Sequence, residues 1–372
     1  MKILFSTNIP SPYRVDFFNE LGKHCDLTVC FEREIASDRD VKWKGKTAEN
    51  FKAVQLDLES YKEDRSIGGA LRDYVKNNDF DIVIFTNYVS PATMSAISYC
   101  RRHKKKYYIE YDGGFNKKDR FPISILKKYL LCGAEGHFTT CEEHKSYLLS
   151  LCIPETKIKK YPFTSVCNAD IERADELLSI GKSALREKLD INEKRMILSV
   201  GQFIYRKGFD VLMQAAKGLD KSIGIYIVGG EPTQEYLDLK SQLGLDNLHF
   251  VGFKNKDELG EYYAAADLFV LPTREDIWGL VINEAMAYGL PIVSTDRCIA
   301  ALEMVKNGES GYIVPVEDSD SLAEKITSLL DVKDKALFFK RSREIACRYT
   351  IEKMAARHVE IFKEILERGL ED

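Results

Sequence analysis

The stretch that decides the fold covers residues 267–291 and reads DLFVLPTREDIWGLVINEAMAYGLP. Its first part, Asp267–Pro272, is short, apolar and ended by a proline, which predicts a buried β-strand. Val281–Tyr288 predicts a helix that ends at Gly289, and Pro291 prevents its continuation. The residues between them form a loop at the carboxyl end of a parallel strand, which is where open α/β sheets bind ligands.

The loop and the first turn of this helix carry groups suited to a nucleotide-sugar. Gly279 lets the backbone approach a ligand closely, and the free N–H groups of Leu280 and Val281 favour an anion. Glu284 lies about one turn into the helix, where its carboxylate can accept hydrogen bonds from a ribose diol. Asp276 in the loop can take other hydroxyls. The competing interpretation is an ordinary amphipathic helix with a surface glutamate.

This segment resembles the Glu-x7-Glu signature of family 4 retaining glycosyltransferases, whose GT-B fold consists of two facing Rossmann-like domains. The resemblance implies that Glu284 binds the donor's ribose hydroxyls. It also implies that Asp276, at the position of the first Glu, contacts the donor sugar with a shorter carboxylate. Glu275 is one residue out of register. Trp278, in the same loop, joins the candidate donor-binding residues.

A second motif, residues 201–208, reads GQFIYRKG. Here a strand ends, a loop turns and a helix begins, so loop cations and a helix N-terminus favour a diphosphate. The motif resembles the family's Gly-Arg-x4-Lys-Gly element, whose Arg and Lys hold the donor phosphates. Lys207 matches the Lys, whereas Gln202 occupies the Arg position and Arg206 can supply the missing charge. The alternative is that Arg206 and Lys207 form a solvated turn.

Two further residues are placed in the donor site. Phe253, at the end of a predicted strand, is expected near the base. Glu303 matches the family's Glu on the helix after the Pro291–Thr295 strand, although Cys298 and Ala300 depart from the usual glycines. The motif resemblance is concentrated in residues 196–316 and rests on topology alone in the first domain.

Strands and helices alternate along the whole chain, which predicts α/β domains with parallel sheets. With the resemblance, we expect two facing Rossmann-like domains. Residues 1–165 form the acceptor-side domain and residues 166–350 form the nucleotide-sugar-binding domain. The long helix of residues 351–372 crosses back to pack on the first domain.

In the first domain the loop Thr7–Arg14 replaces the Gly-rich loop common in the family. Tyr13 and Arg14 lie in the first turn of a helix that Ser11 caps, and Arg14 is either a phosphate partner or a surface arginine. The sequence Asp112-Gly113-Gly114 follows a later strand where many relatives have His-Gly. Asp112 is therefore a candidate acceptor-binding or proton-handling group, with Gly113 and Gly114 beside it. A plain turn residue is an equal alternative.

The two halves of the chain differ in charge. Residues 1–165 hold 27 Lys and Arg against 22 Asp and Glu, an excess of five positive charges, concentrated between Arg101 and Lys128. This basic run is either a solvated surface or a face that contacts anionic lipid or a diphosphate-linked acceptor. Bulk nucleic-acid binding is not indicated, because the whole chain is near charge balance.

Nine cysteines are scattered without metal-ligand spacing, and Cys30, Cys100 and Cys141 lie in apolar runs that indicate buried thiols. The chain also lacks an apolar run of membrane-spanning length and a signal-peptide core. These features predict a cytoplasmic protein, with peripheral attachment at the inner face of the membrane left open.

These inferences lead to one expected function and several rivals. We expect an enzyme that transfers a hexose-type sugar from a UDP-sugar, or a GDP-sugar, to a saccharide or lipid-diphosphate-saccharide. The resemblance implies that the anomeric configuration of the sugar is retained and that the product belongs to cell-surface polysaccharide. Neither a metal nor another cofactor is required. The rivals are a non-catalytic nucleotide-sugar-binding subunit and a GT-B phosphorylase or epimerase. An NAD-dependent oxidoreductase is disfavoured because no strand precedes Gly-x-Gly-x-x-Gly.

Overall fold

The structure, a computed structural model, describes residues 1–33, 47–56, 67–115 and 120–368. The chain divides into two compact units, one of Met1–Ser165 with Thr350–Asp372 and one of Val166–Tyr349. Residues 34–46 lie outside the described residues, as do the lysines at 117 and 118 of the basic run.

The first unit is built on an all-parallel sheet. Its described strands are β1 (Lys2–Thr7), β2 (Asp26–Phe31), β3 (Lys52–Gln55), β4 (Ile82–Phe85), β5 (Tyr108–Glu110), β6 (Gly136–Thr139) and β7 (Ile158–Lys160). Its helices before the second unit are α1 (Pro12–Gly22), α2 (Ile67–Asn77), α3 (Pro91–Arg102), α4 (Ile123–Leu131) and α5 (Glu142–Ser150). The strand order is β3-β2-β1-β4-β5-β6-β7. Strands β2 and β3 extend the sheet on one side of β1, and β4 to β7 extend it on the other, so the strand order reverses at the boundary between β1 and β4.

The second unit repeats this plan. Its strands are β8 (Arg195–Val200), β9 (Ile223–Val228), β10 (Leu248–Val251), β11 (Leu268–Leu271), β12 (Ile292–Thr295) and β13 (Gly311–Val314). Its helices are α6 (Asn168–Ile180), α7 (Lys182–Lys188), α8 (Phe209–Ala216), α9 (Gln234–Leu243), α10 (Lys256–Ala265), α11 (Leu280–Ala287), α12 (Ile299–Met304), α13 (Ser319–Asp331) and α14 (Lys335–Ala346). The order β10-β9-β8-β11-β12-β13 reverses between β8 and β11.

The inner strands of both sheets are buried, whereas the edge strands β3 and β7 are partly exposed. The strands β4, β9 and β11 are buried along their whole length. Such near-continuous apolar runs are typical of parallel strands, which are shielded from water on both sides. The sheets therefore provide rigid frames whose carboxyl edges carry loops.

The last helix, α15 (Ile351–Arg368), belongs to the first unit and packs on α1. His358 and Phe362 on this helix are fully buried, with His358 close to Phe17 and Phe5 of the first unit. The predicted fold class is thus confirmed: two Rossmann-like α/β domains with parallel sheets, and a C-terminal helix on the first of them.

Several local predictions need correction. Ser11 precedes α1 but makes no side-chain cap hydrogen bond, and its side chain is buried instead. Strand β10 ends at Val251, so Phe253 lies in the following loop, 43% exposed. The predicted strand, loop and helix around residues 201–208 are present, with a 3-10 turn over Tyr205–Lys207 between β8 and the start of α8 at Phe209.

The predicted burial of three thiols is confirmed: Cys30, Cys100 and Cys141 are buried. Burial raises the pKa of the Cys100 thiol to about 11. Within the described residues, none of the helices combines the length and the apolar character needed to cross a bilayer.

Candidate functional site

The second unit places its two sequence motifs on either side of the point where the strand order reverses. Strands β8 and β11 are parallel neighbours, and the chain leaves their carboxyl ends toward opposite sides of the sheet. Such a reversal leaves a crevice between the two following loops, and ligands of open α/β sheets bind there. Lys207 belongs to the loop after β8 and Asp276 to the loop after β11.

An ion pair joins these two loops. Lys207 Nζ donates to Asp276 Oδ2 at 2.6 Å, and each side chain is 12% exposed. Arg206 Nη1 lies 3.3 Å from Asp276 Oδ1 and donates to the Glu275 carbonyl at 2.8 Å, with 45% of its side chain exposed. Both candidate cations therefore converge on the candidate sugar-binding carboxylate. A shielded charge interacts more strongly than one in bulk water, so Lys207 is the stronger of the two for an anionic ligand.

The loop after β11 is fastened to the loop after β8 through its backbone. Thr273 Oγ1 and the Arg274 N–H both donate to the Arg206 carbonyl at 2.8 Å. Gly208 allows this approach, because a Cβ there would lie 2.1 Å from the Pro272 carbonyl oxygen. Asp276 is held in turn by its N–H, which donates to the Arg297 carbonyl at 2.7 Å. The two halves of the site thus form one rigid arrangement.

Arg274 is a supporting residue that the sequence reasoning missed. Its guanidinium donates to both carboxylate oxygens of Asp210, at 2.8 and 2.6 Å, and also bonds Glu317. It lies over the Tyr205 ring at 3.9 Å. Hydrogen bonding to Asp210 raises the pKa of Arg274, so its positive charge is fixed. The sequence signal that could have identified Arg274 is its position directly before Glu275 and Asp276.

The start of α11 provides the predicted backbone N–H groups. Gly279 has φ +101°, and a Cβ there would lie 2.6 Å from Cys298 Sγ, so the turn requires glycine. Leu280 and Val281 are half-buried. The Trp278 indole is 3% exposed and donates to Asn283 Oδ1 at 2.8 Å, which makes its ring part of the core beneath the loop.

Glu284 is half-buried one turn into α11 and accepts a hydrogen bond from Tyr263 Oη at 3.0 Å. Burial, reinforced by Glu284, raises the pKa of Tyr263 well above its ordinary value, so the phenol remains a donor. Gln202 is exposed after β8. Glu303 on α12 accepts from Tyr349 Oη at 3.3 Å. Of the predicted donor-site residues, Lys207, Arg206 and Asp276 are in direct side-chain contact with one another.

The first unit has a second constellation, centred on Arg14. This residue is 2% exposed; its Nη1 donates to Glu110 Oε1 at 2.6 Å, and its Nη2 bonds Asp112. To contact a phosphate, the buried Arg14 side chain would have to break its bonds to two carboxylates, those of Glu110 and Asp112. We therefore revise its interpretation from a phosphate partner or surface arginine to a residue that positions Asp112.

Asp112 occupies the exposed end of this network, with 36% of its side chain exposed. Partial withdrawal from water raises the pKa of its carboxyl, with Arg14 opposing the rise and Glu110 adding to it. Tyr13 hydrogen-bonds this carboxyl and packs edge-on against Phe163 at 5.7 Å. A carboxyl held near solvent with a raised pKa is suited to binding hydroxyls and to exchanging a proton.

The backbone beside Asp112 is shaped by two glycines. Gly113 and Gly114 have φ values of +128° and +135°, which side chains rarely adopt. A Cβ on Gly114 would meet no atom within 4 Å, so the space beside it is open. This geometry leaves room for a ligand next to the carboxyl.

Glu110 and His358 complete the network from inside the protein. Glu110 is fully buried, and its Oε2 lies 2.9 Å from His358 Nε2, while His358 Nδ1 lies 2.8 Å from the Met354 carbonyl. Both ring nitrogens of His358 therefore face hydrogen-bond acceptors. Burial alone would raise the pKa of Glu110, but Arg14 and His358 outweigh it and lower that pKa. Sequence reasoning missed both residues because they are distant along the chain.

Glu32, just after β2, is another group that the sequence reasoning missed. It is 7% exposed and accepts hydrogen bonds from Ser90 Oγ at 2.6 Å, Thr93 Oγ1 at 2.9 Å and Asn87 Nδ2 at 3.3 Å. Burial raises its pKa, and these hydrogen bonds oppose the rise. The carboxyl lies at the N-terminus of α3, where a negative charge is favoured.

Comparison with known proteins relates the chain to glycosyltransferases. Residues 181–344 match the family model described as Glycosyl transferases group 1. An uncharacterized glycosyltransferase of Haemophilus influenzae is 28% identical over 297 residues, 78% of each chain. The capsular polysaccharide biosynthesis glycosyltransferase CapM of Staphylococcus aureus is 29% identical over 218 residues, 57% of this chain and 56% of that one.

Among solved structures, Anabaena Alr3699/HepE in complex with UDP superimposes with a TM-score of 0.76. It is 16% identical and covers 98% of this chain and 100% of its own. At this identity the likeness concerns the fold.

Proposed function

We propose that this chain, whose residues 181–344 match the family model of group 1 glycosyl transferases, moves a hexose-type sugar from a nucleoside-diphosphate sugar to a saccharide or lipid-linked saccharide. The configuration of the sugar is retained, and the product enters cell-surface polysaccharide. UDP is the favoured nucleotide and GDP the second choice. The polysaccharide role is supported by the name of the Staphylococcus aureus relative, and UDP by the ligand of the Anabaena structure.

The observation that carries this proposal is the pairing of Lys207 with Asp276 at the reversal point of the second sheet. A diphosphate needs cations and backbone donors, and a sugar needs a carboxylate that accepts from its hydroxyls. Lys207, Arg206 and the N-terminus of α11 provide the first set. Asp276 provides the second from the same loop pair.

We infer that donor binding exchanges partners in this pair. Lys207 turns from Asp276 to a phosphate oxygen, which frees the carboxylate for sugar hydroxyls. As the bond to the leaving diphosphate breaks, negative charge grows on its oxygens. Lys207 and Arg206 stabilise that charge, and the helix N-terminus adds its backbone N–H groups. In this scheme protein cations act on the leaving group, and we propose that no metal ion is needed.

Glu284 is assigned to the ribose. Its Oε2 is held by Tyr263, which fixes the plane of the carboxylate. Two neighbouring ribose hydroxyls can then donate to the oriented group. Phe253 is assigned to a loop position near the base, where its exposed ring is available for stacking.

Asp112 is assigned to the acceptor. Its raised pKa suits a group that binds an acceptor hydroxyl and receives its proton, and Arg14 fixes its position. Tyr13, Gly113 and Gly114 border the same place and complete the acceptor side. This assignment gives the two units separate tasks.

The proposal is tested with the purified full chain and a panel of UDP- and GDP-sugars. We expect UDP or GDP to raise the melting temperature and NADH to leave it unchanged, because a ligand that binds only the folded state stabilises it. With a lipid-diphosphate saccharide acceptor, one nucleotide-sugar yields product whose anomeric configuration NMR can read. Stabilisation by NADH alone, or cleavage of the donor only in the presence of inorganic phosphate, would contradict the assignment.

A non-catalytic nucleotide-sugar-binding subunit is the second candidate. It is favoured by one observation: Gln202 and Asp276 replace the charged Arg and the longer Glu expected of the family. Such a protein would bind UDP with full thermal stabilisation yet form no product with any acceptor. Replacing Gln202 with Arg would then tighten nucleotide binding without producing turnover. A phosphorylase or an epimerase would instead show phosphate-dependent cleavage or conversion of the donor without an acceptor.

A further inference from the structure

Four side chains of the first unit form a continuous row of contacts between the last helix and Asp112. Asp112, at the exposed end, bonds Arg14 Nη2. Arg14 Nη1 donates to Glu110 Oε1 at 2.6 Å, and Glu110 Oε2 lies 2.9 Å from His358 Nε2. The inner three side chains are at most 2% exposed. Because water has so little access to them, each depends on its neighbours in the row for hydrogen bonds and for charge compensation.

The His358 ring is fixed at the inner end of this row. Its Nδ1 lies 2.8 Å from the Met354 carbonyl oxygen, one turn earlier in α15. The ring centroids of Phe17 and Tyr161 lie 4.8 and 4.6 Å from its own. Three more aromatic rings lie 6.0 to 6.3 Å away, those of Phe5, Phe138 and Phe362. The Glu110 carboxylate therefore meets a partner that packing holds in one orientation.

Glu110 depends on both of its partners. Burial would raise its pKa, but Arg14 and His358 together lower it, so the carboxyl carries a negative charge inside the protein. Removing one partner of a buried charge costs the desolvation of the group left behind. The remaining cation, Arg14, would then be drawn toward Glu110 and away from Asp112. The position of Arg14 is thus a balance between a buried carboxylate and one at the surface.

We propose that His358, on the last helix, is a positioning residue that acts on Asp112 through the buried ion pair between them. Helix α15 is then part of the acceptor machinery and not only a packing element. This inference rests on the proposed assignment of Asp112 to the acceptor. It extends that assignment to a residue that is fully buried and therefore out of reach of any substrate.

Two variants of His358 separate its two contacts. Gln places its amide nitrogen near the position of Nε2, and Asn places its own near Nδ1, and both amides are donors. His358→Gln therefore keeps a donor toward Glu110, whereas His358→Asn keeps only the donor toward the Met354 carbonyl. Phe362→Leu is the packing control, because it removes a fully buried ring from the same helix and leaves these hydrogen bonds in place. Circular dichroism melting of each variant establishes that it is folded.

The first readout needs no turnover. NMR titration of the full chain, isotope-labelled at its aspartate carboxyls, follows Asp112, and Asp112→Asn identifies its signal. The groups that face this carboxyl are Arg14 and Tyr13 on α1, Glu110 on β5 and Tyr161 just after β7. In His358→Asn the pKa of Asp112 should rise, because Arg14 shifts toward Glu110 and stabilises the Asp112 carboxylate less. In His358→Gln and Phe362→Leu that pKa should stay as in the wild type.

The second readout is kinetic and uses the nucleotide-sugar and the lipid-diphosphate saccharide that yield product with the wild type. His358→Asn should lower kcat/KM for the saccharide at least about tenfold, since misplacing a reacting group by about 1 Å costs on the order of a hundredfold. His358→Gln should retain most of the wild-type rate. Stabilisation by UDP should be unchanged in both variants, because the candidate donor residues lie in the other unit.

The outcomes separate this inference from the proposed function. If Asp112→Asn transfers sugar at the normal rate, the acceptor assignment is wrong, and the titration still decides whether His358 positions Asp112. Equal losses for His358→Asn and His358→Gln would overturn the positioning role. So would a pKa of Asp112 in His358→Asn that equals the wild-type value or lies below it. His358→Leu fills the same space without a donor and replaces His358→Asn in both readouts if the latter does not fold.

Discussion

Replacing Lys207 with Met is the most informative perturbation of the second unit. Met keeps most of the apolar stem and removes only the charge that lies 2.6 Å from Asp276 Oδ2. Two effects are expected, one on stability and one on turnover, and they have different sources. The matched control is Lys182→Met, since Lys182 Nζ contacts Asp267 Oδ1 at 2.9 Å just before β11, at the opposite edge of the sheet.

The expected loss of stability depends on how far Asp276 is exposed to water. Breaking a buried ion pair by removing one partner costs about 3–5 kcal/mol, because the other charge is left without compensation. Asp276 keeps Arg206 at 3.3 Å and has some access to water, so we expect a smaller loss of about 1–3 kcal/mol in unfolding free energy. For turnover, losing one preorganised donor to a leaving group costs about 3 kcal/mol of barrier, or about a hundredfold in kcat.

The assay combines urea denaturation with initial rates on the nucleotide-sugar that the wild type uses. Lys207→Met should lower kcat about a hundredfold and weaken stabilisation by UDP, whereas Lys182→Met should change stability alone. Asp276→Asn provides a cross-check, since it removes the partner charge but leaves Lys207 for the phosphate. A Lys207→Met enzyme with a kcat within about threefold of the wild type would refute the assignment of Lys207 to the leaving group.

Three further outcomes are expected. Burial lowers the pKa of His144 from 6.5 to about 4, so its contribution to stability is present above pH 6.5 and is lost as the pH falls toward 4. The wild type should therefore lose unfolding free energy between pH 7 and pH 5, and His144→Phe should make that loss about 2 kcal/mol smaller. Denaturation at both pH values measures the difference. Burial raises the pKa of Glu32 above 4.5, so the opposite sign applies: its contribution is present below pH 4.5 and is lost as the pH rises through the folded-state pKa. Glu32→Gln should therefore flatten that part of the stability profile, and an unchanged slope would contradict the shift. Gly279→Ala should lower the unfolding free energy by about 2–3 kcal/mol and weaken UDP binding, because the added Cβ would meet Cys298 Sγ at 2.6 Å. The control Gly218→Ala places its Cβ 3.6 Å from the nearest atom and should be close to neutral in urea denaturation.

The sequence alone determined the frame of each unit. Short apolar runs alternating with amphipathic segments predicted parallel sheets, and the strands β11 and β12 were placed within one residue of their observed bounds. It also identified Lys207 and Asp276 as functional candidates, because each follows a buried strand and precedes a helix. These are local signals, since periodicity, caps and loop chemistry are read from neighbouring residues.

Tertiary structure alone decided which of these groups touch. The pairing of Lys207 with Asp276 spans 69 positions, and that of Glu110 with His358 spans 248. Arg14 was open to two interpretations in sequence, yet burial between Glu110 and Asp112 makes it a positioning residue. Contacts of this range depend on how strands order themselves in a sheet, and no local pattern records that order.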